Sequence, residues 1–278
     1  MYISLNPSLT GGGKLGWPEF ARLAAKLGYP GVDVNLNAAM KAGPAETKAL
    51  LEHLRLKPAV VGFPVNFRGD DAAYEESVKS LEPAARFAAA IGCPRMVTWV
   101  APSSEIPKVE LRKTLQRRFS HSAGILSQSG VRLGLEFIGP LNSRKRSPHE
   151  FIWRMDEMLE FARDCGPNVG LLLDAWHWHH ARATAADILT AGRERIVHIH
   201  VSDAPGLPPE KILDNERLMP GEGVIDFNTF FGALRKTGYE DGISPEVLGP
   251  RARNLPPEEG ARVGLETTRA VMKKAGVA

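Results

Sequence analysis

Residues 169–180, VGLLLDAWHWHH, decide the fold class of this chain and point to its chemistry. The first half alternates as a strand does. Val169, Leu171 and Leu173 share one face and Gly170, Leu172 and Asp174 the other, so a carboxylate stands where the strand runs out. Three other apolar runs end the same way, each with a residue able to ligate a metal: RLGLEF with Glu136, IVHIHVSD with His200 and GISPEVL with Glu246. Side chains two apart point the same way, so Val131, Leu133, Leu135, Val197, Ile199, Val201, Ile243 and Val247 form faces expected to pack on helices. The opposite faces carry Gly134 and Glu136, Gly170 and Asp174, His198, His200 and Ser202, and Gly242, Ser244 and Glu246. Small residues one layer below the polar ones leave room for a cavity floored by carboxylates and imidazole. Three carboxylates and a histidine converging there repel and desolvate one another unless a cation holds them, and one divalent ion is the simplest solution. For any one group alone, satisfaction at a barrel rim is the more economical explanation; recurrence at four equivalent places favours a shared ion.

Outward from this segment, short apolar runs alternate with helical patterns along the chain, the mark of repeated βα units and a parallel sheet. Strands are predicted at 2–5, 31–34, 59–63, 95–100, 131–137, 169–174, 196–202 and 242–248. Helices are predicted at 17–27, 44–56, 71–91, 108–129, 148–165, 181–191, 228–237 and 257–274. Eight such units make an α/β chain of the (β/α)8 TIM-barrel class, one domain over 1–278, with active-site residues at the C-terminal strand ends. At 278 residues and 43% hydrophobic content the chain can bury one large core. Cys93 and Cys165 lack metal-type spacing and read as ordinary reduced residues. The start, MYISLNPSLT, has neither a basic leader nor an apolar signal segment, and no run is long enough to span a bilayer. A soluble, cytoplasmic protein without a membrane partner is expected. The net charge of +3 gives no argument for nucleic acid, and a homo-oligomer is left open.

Other segments open onto the same rim. The glycine run 11–13 is expected to be a flexible loop, since no phosphate-binding pattern follows it. PVNFRGD brings Asn66 and Arg68 towards the mouth after strand three, and Trp99 closes strand four, as wall or as an apolar plate against a sugar face. Arg112, Lys113, Arg117 and Arg118 are read as a solvated helix face. Arg144, Lys145 and Arg146, with Arg251 and Arg253, lie in loops framing the mouth; solvation explains them, and a handle for a phosphate or carboxylate is the alternative. His177, three residues after Asp174, can reach the ion or an oxygen on its ligand, whereas His179 and His180 read as capping or surface groups. His198, one layer below His200, is expected to be buried behind the ion rather than to ligate it. Arg217, in the long loop 203–226, is placed to fold over the mouth and hold substrate oxygens.

The ordered set GLEF, LLLDAWHWH, HIHVSD, R-x-x-PGEGVID and SPEV, over about residues 131–248, resembles the xylose isomerase-like TIM-barrel superfamily of sugar isomerases and epimerases, to which endonuclease IV is distantly related. Inosose (2-keto-myo-inositol) isomerase-like members look most similar. The resemblance implies Glu136, Asp174, His200 and Glu246 as metal ligands, and His177 and Arg217 as substrate contacts. A three-zinc nuclease of the endonuclease IV kind is disfavoured, because Asn66 and Trp99 stand near where that branch carries histidines and Arg217 stands where it has an Asp and His pair. Residues 137–142 lack the second glutamate of ketose 3-epimerases.

The expected chemistry is isomerisation or epimerisation of a sugar or keto-polyol, phosphorylated or not, through an enediolate stabilised by one divalent ion. Glu136 and Glu246 would remove and return the proton while Asp174 and His200 anchor the ion. Oxygen-rich ligation suits Mn2+ or Mg2+, and Co2+ or Zn2+ also fit. A dehydratase using the same site is the alternative, and a barrel that binds without chemistry is a third reading.

Overall fold

Eight parallel strands close into a barrel in sequence order in the computed structural model, which describes residues 1–12 and 15–277. They are β1 (Tyr2–Leu5), β2 (Gly31–Val34), β3 (Lys57–Gly62), β4 (Arg95–Trp99), β5 (Arg132–Glu136), β6 (Val169–Asp174), β7 (Ile196–Val201) and β8 (Gly242–Pro245). The outward residues Leu133, Leu135, Leu171, Leu173, Ile199 and Ile243 are fully buried against helices such as Lys108–Ser127, Met155–Cys165, Ala185–Arg195 and Pro257–Lys274. This is a single TIM barrel. No helix among the described residues is long and apolar enough to cross a membrane.

Register sets the height of each rim residue. Trp99 pairs with Glu136, Asp174 with His200 and His200 with Ser244, whereas Leu135 pairs with Leu171, so the ligating positions step along the register from strand to strand as a tilted, staggered barrel requires. One shift departs from simple alternation. Leu171 pairs with Ile196 but Leu172 with His198, which leaves Val197 unpaired as a bulge. Parity alone puts Val197 on the helix-facing side. The bulge turns it inward instead, where its side chain packs over Gly134 and Gly170 on the face that carries Glu136 and Asp174. It also presses the chain of β7 onto β6: a Cβ on Gly170 would lie 2.2 Å from the carbonyl oxygen of Arg195.

Several helices differ from the sequence pattern for local reasons. The predicted helix 71–91 is two, Asp71–Val78 and Leu81–Ala90, because Pro83 has no N–H to continue the ladder and is tolerated only in a first turn. The stretch ahead of Met155 is extended: His149–Glu150 pairs antiparallel with Ser103–Ser104, and Phe151 N–H donates to Pro102 at 2.7 Å. The segment Ala175–His180 forms its own short helix, capped by Asp174, before Ala185–Arg195 begins behind a capping box of Thr184 and Asp187. Leu36–Ala42 is helical as well, capped by Asn35. Arg118 is not solvated. It is 4% exposed, and its guanidinium donates to the carbonyls of Phe67 and Gly69 at 2.7 Å each and to Asp71 at 2.8 Å, tying the β3 loop to the helix Lys108–Ser127. Of the glycine run 11–13, Gly13 lies outside the described residues.

Gly170→Ala should lower stability by about 2–3 kcal/mol, because the clash is with backbone that cannot rotate away. Thermal and urea unfolding against wild type measures it, and a neutral result would contradict the bulge.

Candidate metal and substrate site

Glu136, Asp174, His200 and Glu246, from β5, β6, β7 and the residue just past β8, each offer one ligand-type atom within 4.8 Å of all the others. Asp174 is fully buried, and its Oδ1 accepts the Trp176 N–H at 2.9 Å, the bond that starts the short helix. His200 turns Nδ1 towards Glu246 Oε2 at 3.5 Å and Glu136 Oε1 at 3.8 Å. Glu136 Oε1 and His200 Nδ1 are buried without a hydrogen-bond partner. Two such atoms facing each other suit a shared ion, since metal–ligand bonds of about 2.0–2.4 Å place adjacent ligands roughly 3–4 Å apart.

The electrostatics are those of a crowded anionic cluster. Burial, with Glu246 and Asp174 adding like-charge repulsion, pushes the Glu136 carboxyl well above the usual range. Burial opposes the charge of Glu246 too, but His200 and Arg217 beside it hold that carboxyl low. For His200 burial opposes the imidazolium, and Glu246, Glu136 and Asp174 outweigh it, raising the ring to about 10. Cationic partners decide which carboxylates stay charged, and a divalent ion would relieve Glu136 most.

Arg217 is 2% exposed. Its Nη1 donates to Asp174 Oδ2 at 2.7 Å and Glu246 Oε2 at 3.1 Å, and its Nη2 to Asp214 Oδ1 at 3.0 Å. His177 is fully buried beside it: Nδ1 accepts the Gly139 N–H at 3.3 Å, and Nε2 lies 3.3 Å from Arg217 Nη2. Burial lowers the His177 ring below its ordinary value, so it is neutral. Glu136, Glu246, Asp214, Arg217, His177 and Trp99 line a cavity of about 460 Å³ together with Ser103, Ser143, Arg146 and Ser147.

The other predicted positions distribute as follows. Trp99 is half-exposed on the cavity wall, with the Arg68 guanidinium 3.8 Å over its ring. Asn66 does not line that cavity; its Oδ1 accepts Gly69 N–H at 3.1 Å and shapes its own loop. Arg144 stacks on Trp153 at 3.7 Å, away from the cavity, and Arg251 pairs with Glu222 at 2.6 Å. His198 lies fully buried below His200, their rings 5.4 Å apart.

Three carboxylates were missed. Asp214 sits three residues before Arg217 in a loop with no periodicity to flag it. Asp33, in the strand GVDV, could have been found as a charge on an otherwise apolar strand. Asp203 is 1% exposed and accepts four backbone N–H groups: Ala204 at 2.8 Å and Ile225 at 2.9 Å on Oδ1, Gly221 at 2.8 Å and Gly223 at 2.9 Å on Oδ2. It gathers the two ends of the loop that carries Arg217.

The family model described as the xylose isomerase-like TIM barrel matches residues 11–271. The chain belongs to that family. An inosose isomerase of Halalkalibacterium halodurans is 26% identical over 232 residues, 82% of this chain and 80% of its own. A xylose isomerase domain protein from Alicyclobacillus acidocaldarius superposes with a TM-score of 0.90 at 28% identity, over 99% of both chains. The IOLI protein with a binding zinc atom superposes at 0.84 with 22% identity, also over 99% of both.

Asp203→Ala should cost at least about 2 kcal/mol, since it strands several buried amide donors. Hydrogen exchange should show the amides of Gly221, Gly223 and Ile225 losing protection ahead of the barrel strands; unchanged protection would refute the clamp.

Proposed function

We propose that this protein is a metal-dependent isomerase or epimerase of a keto-polyol, of the inosose isomerase type, working by proton transfer through an enediolate. The observation that carries the reading is the convergence of Glu136, Asp174, His200 and Glu246, two of which, Glu136 and Glu246, line a cavity together with Arg217 and His177. The inosose isomerases among its relatives support the substrate class, at 26–27% identity over about four-fifths of the chain. A relative named 3-dehydroshikimate dehydratase matches half of the chain, which makes elimination the weaker reading.

Glu136, Asp174, His200 and Glu246 would hold one divalent ion, Mn2+ or Mg2+ by their oxygen-rich character, with Zn2+ or Co2+ also accommodated. When bound, such an ion supplies Lewis acidity to a ketone and its neighbouring hydroxyl. Glu136 ends β5 and Glu246 follows β8, three strands further round the barrel, so the two would approach a substrate from different sides. One takes the proton next to the carbonyl and the other returns it at the adjoining carbon or opposite face. The neutral His177, its Nε2 3.3 Å from Arg217 Nη2, stands beside that guanidinium to orient a substrate oxygen. Arg217 supplies further donors and a fixed positive charge where negative charge grows on oxygen. Trp99 gives the apolar face of the ring a wall.

Incubating the protein with keto-inositols and ketoses in deuterated water with Mn2+ should give deuterium at the carbon next to the carbonyl, without loss of water, by NMR and mass spectrometry. Chelation should abolish exchange and added metal restore it. Glu246→Gln should retain the fold and lose exchange by about 10²–10⁴-fold, the contribution of a positioned base. Full exchange in that variant would remove the base assignment, and loss of water from substrate would replace isomerisation with elimination.

A further inference from the structure

Below the four candidate ligands lies a second polar cluster whose role nothing above assigns. Asp33 on β2 is 5% exposed. Its Oδ1 accepts Ser4 Oγ and Ser244 Oγ at 2.7 Å each, and its Oδ2 accepts Asn6 Nδ2 at 2.9 Å. Three donors on two oxygens suit the carboxylate, which can only accept. The single hydrogen of Ser244 therefore points at Asp33. The 2.8 Å contact between Ser244 Oγ and His198 Nε2 is then a hydrogen bond only with His198 as donor. That fixes the hydrogen of His198 on Nε2 and leaves Nδ1 as a bare acceptor. Nδ1 is buried and has no partner, on a ring that is itself fully buried. A buried acceptor left unpaired is costly.

The neighbouring ring is that of His200, one water's reach away. The ring of His200 meets that of His198 edge-on at 88°, and Asp33, His198 and His200 each bring one carboxylate oxygen or ring nitrogen within 4.8 Å of the others. His200 faces the carboxylates with Nδ1, so when that nitrogen offers its lone pair to an ion the ring's hydrogen sits on Nε2.

We propose that Asp33, acting through Ser244 and His198, is a positioning residue for His200: the bare Nδ1 of His198 takes the Nε2–H of His200 through one water and keeps that hydrogen off the nitrogen that ligates. The inference rests on the reading of Glu136, Asp174, His200 and Glu246 as a metal centre, and it holds whatever the substrate is. The chain has a direction set by its first member, a carboxylate that cannot donate, and each later hydrogen is placed by the one before it. Asn in place of Asp33 could turn its NH2 towards Ser244 and reverse the sequence. Ala in place of Ser244 would cut it with little change of volume.

The test uses the full chain, uniformly labelled with 15N, in long-range 1H–15N NMR of its imidazoles, together with Zn2+ affinity measured against a chromophoric chelator. Wild-type His198 should show a single form with the hydrogen on Nε2. In Ser244→Ala that form should give way to a mixture, and Zn2+ binding should weaken by about 10–100-fold, the range expected when the partner orienting a ligating histidine is lost. Asp33→Asn should shift both readouts in the same direction, which keeps the test open if one variant folds poorly; a packing role alone would leave the hydrogen of His198 in place. A wild-type hydrogen on Nδ1 of His198, or Zn2+ affinity in Ser244→Ala within about twofold of wild type, would overturn the proposal. Wild-type affinity in Ser244→Ala alongside intact isomerase activity removes the positioning chain and leaves the function standing. The expected NMR and affinity changes without deuterium exchange on any keto-polyol do the reverse.

Discussion

Three carboxylates brought together at a buried barrel rim are the constraint to which the rest of this structure answers. Two like charges about 4 Å apart repel by roughly 4 kcal/mol at an effective dielectric near 20, and here each of three faces the others. Arg217 offsets one of them through its bonds to Asp174 and Glu246. Asp214, a third exposed, also leans on Arg217 but is screened by solvent. The two charges left over match one divalent ion with His200 as a neutral ligand. Burial, with the repulsion of Glu246 and Asp174, raises the Glu136 carboxyl, and the same carboxylates raise the imidazole of His200 against its burial.

The scaffold meets this constraint with backbone, not with long side chains. Glu136, Asp174 and His200 stand at or next to the last residues of β5, β6 and β7, so their spacing follows from the stagger of neighbouring strands. The bulge at Val197 lets β7 lean on the glycine of β6 and fills the layer beneath the ligands. Arg217 is the exception, a long side chain from a loop. Asp203 compensates by fixing that loop at four amides, so the guanidinium is ordered before a substrate arrives.

The barrel and its four rim residues were legible in the sequence because both follow from a period of two. A strand that ends in a carboxylate or imidazole declares its face, and four of them declare a common rim. What escaped was whatever breaks that period or has none. Parity misplaces Val197 because a bulge inserts one residue into the count. Asp214 and Asp203 lie in irregular chain, where hydrogen bonds to backbone decide a carboxylate's role and composition says nothing. Arg118 reads as solvated in a basic run, since its partners are carbonyls of a distant loop that no helical pattern reveals. The position of Asn66 after a strand points to the mouth, yet its amide oxygen accepts the Gly69 N–H of its own turn.

Parity also explains why the polar interior is deep. A residue two positions before a rim ligand shares its face, so β7 and β8 each deliver a pair: His198 under His200 and Ser244 under Glu246. Apolar residues there would fill the barrel more cheaply, since buried polar groups must all be satisfied and stabilise little on balance. Asp33 meets that requirement with three donors, which makes the lower layer costly to assemble and rigid once assembled. Its one unpaired atom, His198 Nδ1, lies beside the ring that would ligate the ion. A layer built only for stability has no reason to leave its gap there, whereas a layer that orients His200 does.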